Sequence, residues 1–419
     1  MGGKRKRPAQ DPSVAAPVPK KQQKSNHKSA VKPPLVPTPL DTSPFLDDPK
    51  GADKQREVQL YDLLSSEDVS ERLNAANAIV SGLLGGDGVQ ESTLQRHLER
   101  KLFRGLASGR KGARLGFSVV LTEILGQLFG SKKLVEEKYT GLTFDRVLGI
   151  LVAKTKPDGD LSGQEEKDHH FGLLFGLQSF VRAKILFGGN NWWNEILSKL
   201  LELSKKKPWI REECGWVIVE ALSQMNQAQA EQTLNELHEA RLTLSPEGVG
   251  IWLTARNRFS DMKFPTKPWG QSGNPLEHLN SLAKALKESS SNDDGASKTQ
   301  QAKQTGTWNP QLHFVWNIVL AEYAAAIKSK RDDIKSEFEN FWKVAVDGQS
   351  LEINPLYHAN APQKIFSLLQ HRESENFGDS CCSKKCCKTQ NPIANSFQAY
   401  SATISSDVSS ITFNRRIAS

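Results

Sequence analysis

Cysteine is scarce in this sequence, and no part of it is both long and apolar. Five cysteines stand among 419 residues, four of them packed between Cys381 and Cys387. That arrangement builds no disulfide framework of the secreted kind. Adjacent cysteines separated by a three-residue gap also miss the spacing of a zinc knuckle. No apolar run reaches the roughly 18 to 20 residues that span a bilayer. The charged N-terminus is not followed by the apolar stretch of a signal peptide. The expectation is an intracellular protein with no membrane segment.

Catalytic signatures are equally sparse. Nucleotidyl transfer needs carboxylates that converge on two metals from a folded palm. The sequence offers no strand-rich stretch, no glycine-rich phosphate loop and no carboxylate pair in an apolar strand. Asp158 and Asp160 sit between Pro157 and Gly159 and read as a turn. His169 and His170 lack a Cys or carboxylate at ligand spacing and read as helix-start residues. No cofactor, metal site, catalytic residue or small-molecule substrate is expected.

Acid is missing from two places, and both are informative. The first 34 residues hold nine Lys or Arg against one Asp, which accounts for the whole formal charge of +8. Rich in Pro, Lys, Ser and Gln, residues 1–48 bury too little apolar surface to offset the entropy of ordering and read as a disordered tail. Lys4, Arg5, Lys6 and Arg7, followed by Lys20 and Lys21, have the two-cluster form of a nuclear import signal. The second place is Arg96 to Arg114. Here Arg96, Arg100, Lys101, Arg104, Arg110, Lys111 and Arg114 face a single acid, Glu99. Basic residues without interleaved acids mark a candidate polyanion-binding edge.

What fills the middle of the chain is helical periodicity. Leu94, Leu98 and Leu102 recur every four residues, with Arg96, Arg100 and Arg104 about 200° away on the wheel. Ala113, Gly116, Phe117, Val120, Leu121, Ile124, Leu125 and Leu128 follow a buried 3.6-residue period. Gly105 and Gly109 are expected to separate these two helices, and Ser108 to cap the second. Ser65 and Asp68 have capping-box spacing ahead of an earlier helix. Gly172 and Gly176 are expected to admit a neighbouring helix. Cys214 reads as a buried thiol, and Trp269, in a Pro- and Gly-rich loop, as an anchor on the core.

A weak internal echo runs through these helices. Gly116, Gly172 and Gly215 each sit near the start of an apolar helix, the last two 43 residues apart. Helix-pair solenoids of the HEAT or armadillo type repeat near that period. The expected fold is therefore all-α, a HEAT/armadillo-like stack over 53–346. A low-complexity insertion at 288–306 is expected to be flexible, and 347–419 to be an atypical end, disordered or altered by a change of reading frame.

Five blocks carry a resemblance. RGLASGRKGARLGFSVVLTEIL begins at Arg104; HHFGLLFGLQSFVRAKIL, KKPWIREECGWVIVEAL, PEGVGIWLTARNRF and HFVWNIVLAEY follow from His169, Lys206, Pro246 and His313. In this order they resemble the N-terminal part of the Myb-binding protein 1A family in its fungal form, whose members also bear the name DNA polymerase phi. The resemblance implies a nucleolar protein of helical repeats that serves ribosomal RNA gene transcription and ribosome production. Its partners would be ribosomal DNA or RNA, nucleolar proteins and transcription factors. Two alternatives remain: a DNA polymerase, on the family's name alone, and a co-regulator that receives an amphipathic helix of a transcription factor.

Overall fold

The computed structural model describes residues 40–265, 267–291, 313–328 and 334–347. The chain divides into two units at Pro39 and Leu40. The import clusters lie in the first unit, outside the described residues. The greater part of the 288–306 insertion, the four-cysteine run and the rest of the chain beyond 347 also lie outside the described residues.

Among the described residues every regular element is helical. In order they are α1 (Gly51–Leu63), α2 (Val69–Leu84), α3 (Glu91–His97), α4 (Phe103–Leu106), α5 (Lys111–Leu125), the short α6 (Leu134–Glu137), α7 (Phe144–Thr155) and α8 (Gly163–Arg182). Then come α9 (Trp192–Lys206), α10 (Arg211–Leu222), α11 (Gln227–Glu239), α12 (Pro246–Arg258), α13 (Leu279–Ser291), α14 (Phe314–Lys328) and α15 (Ile334–Trp342). Their starts are written in the sequence. Ser162 and Glu165 form a capping box on α8, as Asn226 and Gln229 do on α11. Ser245, followed by Pro246, caps α12. Each such cap stabilises by about 1 kcal/mol.

The helices stack in two layers. α2, α5, α8, α10, α12 and α14 each pack against the next, and α1, α4, α7, α9 and α11 fold back as hairpin partners on the first five of them. This is the expected helix-pair stack. One apolar core runs from Phe45 to Ala345, with Leu94, Leu98, Leu102, Val120, Leu121 and Ile124 wholly out of water.

The glycine echo marks helix crossings. A methyl group on Gly116 would run into the Leu64 carbonyl oxygen. One on Gly172 would lie 3.0 Å from the Ala107 nitrogen, and one on Gly215 2.6 Å from Glu247 Cβ. Gly176 admits Leu151 of α7 in the same way. Trp269 is fully buried, as an anchor should be, and so is Cys214, whose thiol burial pushes up.

Three local expectations need correction. Gly105 does not end a helix: it lies inside α4, where a side chain would meet the Phe117 ring at 2.5 Å. Ser108 does not cap α5, which starts one residue after Arg110. Its hydroxyl instead accepts the Arg110 N–H at 3.2 Å, closing a tighter turn. Asp68, not Ser65, caps α2, accepting from the Glu71 N–H at 2.9 Å.

Candidate nucleic-acid interface

A π turn at Leu98–Leu102 joins α3 to α4. An interval of four residues overshoots an α turn by about 40°. The wider π turn offsets that drift and keeps Leu94, Leu98 and Leu102 in line against the core. The same turn carries Arg100 and Lys101, between Arg96 of α3 and Arg104 of α4.

Those seven residues divide by their partners. Arg100, Arg104 and Arg110 are exposed, with no ion pair among the described residues. Lys111 opens α5 beside them. The other three turn inward. Arg96 meets Glu57 at 3.2 Å and donates to the Leu46 carbonyl at 3.0 Å. Lys101 lies 3.4 Å from the same Glu57 carboxylate. Arg114 meets Asp168 at 3.3 Å, donates to the Ser108 carbonyl and lies over the Phe171 ring.

Glu57 organises a buried polar knot. Burial pushes its carboxyl up, but the hydrogen bond and charge from Arg96, with the charge of Lys101, outweigh burial and hold it below the usual range. His97 beside it is fully buried, and burial pulls its pKa down to about 4. Arg96 donates to Nε2 of that ring at 3.0 Å, so the proton of the neutral imidazole sits on Nδ1, facing the Tyr61 hydroxyl at 2.7 Å. Phe45 covers the ring at 4.5 Å. Arg96 and Lys101 thus help fix α3 and the π turn on α1. They are structural cations at the base of the edge, whereas Arg100, Arg104 and Arg110 project from it.

The edge runs farther than one hairpin. Gly112 at the start of α5 lies against the Ser66 carbonyl, and Gly109 against Asp168 near the start of α8. Glu166 of α8 meets Lys207 at 2.5 Å, just before α10. The N-terminal ends of α5, α8 and α10 therefore line up along one side of the stack. Lys154 and Lys156, at the end of α7, are exposed on the same side, Lys154 lying 3.9 Å from Glu99. Aromatic rings continue the line. From Arg114 it passes to Phe171 at 5.0 Å, from Phe171 to Trp209 at 5.3 Å, and Lys167 stands 5.4 Å over the Trp209 ring. His169 and His170 occupy this region as helix residues: His169 Nδ1 lies 3.3 Å from the Thr155 carbonyl and His170 Nε2 3.4 Å from Glu166.

Sequence reading missed a second buried cluster. Glu212 of α10 accepts the Phe314 N–H at 2.9 Å, and Glu247 of α12 meets His313 at 3.3 Å. Two acids thereby hold the start of α14. Their sequence signal was only that three of the resembling blocks each bring one of these residues. Among the described residues no group of three or more His, Cys, Asp or Glu is placed to hold a metal. No helix among them is long and apolar enough to cross a membrane.

Comparison with known proteins agrees with this architecture's sequence blocks. The chain is 30% identical to the rDNA transcriptional regulator pol5 of Schizosaccharomyces pombe, the match covering 77% of this chain and 32% of that protein. It is 29% identical to the rDNA transcriptional regulator POL5 of Saccharomyces cerevisiae, over 69% of this chain and 32% of the relative. The chain thus spans about a third of the length of these curated relatives. Both are named as regulators of transcription and neither as a polymerase. No solved structure matches. The family model for DNA polymerase phi matches residues 97–361, and by that match this chain belongs to the DNA polymerase phi family.

Proposed function

We propose that this chain is a non-catalytic helical-repeat scaffold in the regulation of ribosomal DNA transcription. It holds ribosomal DNA or RNA along its cationic edge and offers its remaining helical surface to nucleolar and transcription-factor proteins. One observation carries the reading. Arg100, Arg104 and Arg110 stand exposed along the edge, with no ion pair among the described residues, in a chain similar to two proteins named as rDNA transcriptional regulators. Exposed guanidinium groups bind phosphate without reading bases, through release of counterions. The basic clusters Lys4–Arg7 and Lys20–Lys21 serve nuclear import in the same reading, and the nucleolus is where the chain works.

The test is a binding titration of the whole chain against a ribosomal DNA duplex over a series of salt concentrations. The expected result is affinity that falls steeply with salt. Changing Arg100, Arg104 and Arg110 together to Glu should abolish binding or flatten the salt slope by about 2 to 3. Unchanged affinity in the triple variant, or no binding by the parent at low salt, removes the edge from the function.

A further inference from the structure

The cationic edge carries rings as well as charges, and the rings bear on which nucleic acid it takes. Trp209 lies in the short turn Pro208–Ile210 between α9 and α10. Its neighbour Ile210 is fully buried, as are Trp252 and Trp269, whereas Trp209 and Phe171 remain partly exposed. Both rings pack against the core on one side, Trp209 also meeting the His170 ring edge-on at 6.3 Å, and each keeps part of its surface in water. They stand in series between cations: Arg114 at 5.0 Å from Phe171, Phe171 at 5.3 Å from Trp209, and Lys167 at 5.4 Å from Trp209. The series crosses from α5 over α8 to the turn ahead of α10. It starts four residues from Arg110, one of the exposed guanidinium groups of the edge.

We propose that Trp209, with Phe171 behind it, is a base-stacking site, and that the edge engages a single-stranded nucleic acid there. This rests on the reading of the edge as phosphate-binding and narrows its ligand. The bases of a duplex already stack on one another and offer no free face to a side chain. An unpaired base does offer one, and stacking on an aromatic ring tolerates any base. Lys167 caps the indole when no strand is bound, and a base takes its place over the ring. The exposed Lys205, at the end of α9 ahead of this turn, adds a cation for the strand's phosphates. Glu166, one residue from Lys167, is paired with Lys207 at 2.5 Å and lies 3.4 Å from His170 Nε2.

The experiment compares fluorescence-anisotropy titrations of the full chain with a labelled oligouridylate and with duplex DNA. Parent, Trp209→Leu and Trp209→Phe are measured under the same low salt. Trp209→Leu should weaken oligouridylate binding about tenfold and leave the duplex within twofold, with Trp209→Phe recovering most of the loss. Oligouridylate affinity within twofold of the parent in Trp209→Leu, or an equal loss toward the duplex, overturns the stacking site while the phosphate-binding edge stands. Failure of the parent to bind either ligand overturns both. Intrinsic fluorescence gives a measure independent of the leucine variant: oligouridylate should quench the parent more than Trp209→Phe. Equal quenching of the two overturns the proposal.

Discussion

Glu247 and His313 stand 66 residues apart in sequence and meet at 3.3 Å, both side chains almost wholly withdrawn from water. Glu247 sits in the first turn of α12, and His313 immediately precedes α14, so one contact ties the start of one helix to the start of another. Glu212 adds a second tie through the Phe314 N–H. This junction is how the stack continues after the sequence interrupts itself between α13 and α14.

Removing Glu247 leaves the buried His313 ring without its hydrogen-bond partner, at a cost of about 1–3 kcal/mol. Glu247→Ala should therefore destabilise, and hydrogen exchange should show α14 losing protection before α5. If α14 keeps its protection in a folded Glu247→Ala protein, the pair is not what holds it.

Two glycines give opposite expectations. Gly116 of α5 lies against the Leu64 carbonyl oxygen, a backbone atom that no rotamer change can move aside. Gly116→Ala should cost about 1–3 kcal/mol or more by overpacking. Gly149 of α7 is exposed, and nothing lies within 4 Å of where its Cβ would be. Gly149→Ala should raise stability by about 0.5–1 kcal/mol, since it restricts only the unfolded chain and improves helix propensity. Denaturant melts of the two variants decide this; a neutral Gly116→Ala would mean that α5 stands off from the end of α1.

The helices were legible because their apolar residues repeat with the helical period, and the crossings because Gly116, Gly172 and Gly215 recur in them. The edge was legible as a run of cations, but its division was not. Whether Arg96 or Arg100 is free depends on Glu57, which lies 39 residues from Arg96, and the fate of Arg114 depends on Asp168, 54 residues away. Such partners are chosen by packing of whole helices, which a local pattern does not record. Lys154, Lys156 and Trp209 join the edge for the same reason. Gly105 misled because glycine reads as a stop in sequence, whereas here its missing side chain makes room for Phe117.

The tail is tested in cells. With a fluorescent tag, the intact chain is expected in the nucleolus, and a chain lacking residues 1–34 in the cytoplasm. Nucleolar signal in both would assign retention to the helical unit and make Arg100, Arg104 and Arg110 the next residues to change. Exclusion of the intact chain from the nucleus would remove the import reading.

Acid should loosen the knot at the root of the edge before it unfolds the rest. His97 holds no proton in the fold until pH falls to about 4, chiefly because it is buried. In the unfolded chain it takes one near pH 6.5. Between those values the unfolded state holds more protons on this group, so its own contribution lowers stability as pH falls, by roughly 2 kcal/mol at pH 5. Glu213, whose carboxyl burial pushes up to about 7, acts in the opposite sense in parent and variant alike. Glu57, held below its usual range, adds to the His97 loss at lower pH, as its carboxylate is protonated. His170, also pulled down first by burial, contributes a part that His97 substitution does not remove. Thermal melts of the parent and of His97→Gln at pH 7.5 and pH 5 should therefore show a smaller acid shift in the variant, with some shift remaining. Identical acid shifts would mean that His97 is protonated in the fold. Its Nε2 could then no longer accept from Arg96, and the contact that sets Arg96 between α1 and α3 would have to be rebuilt.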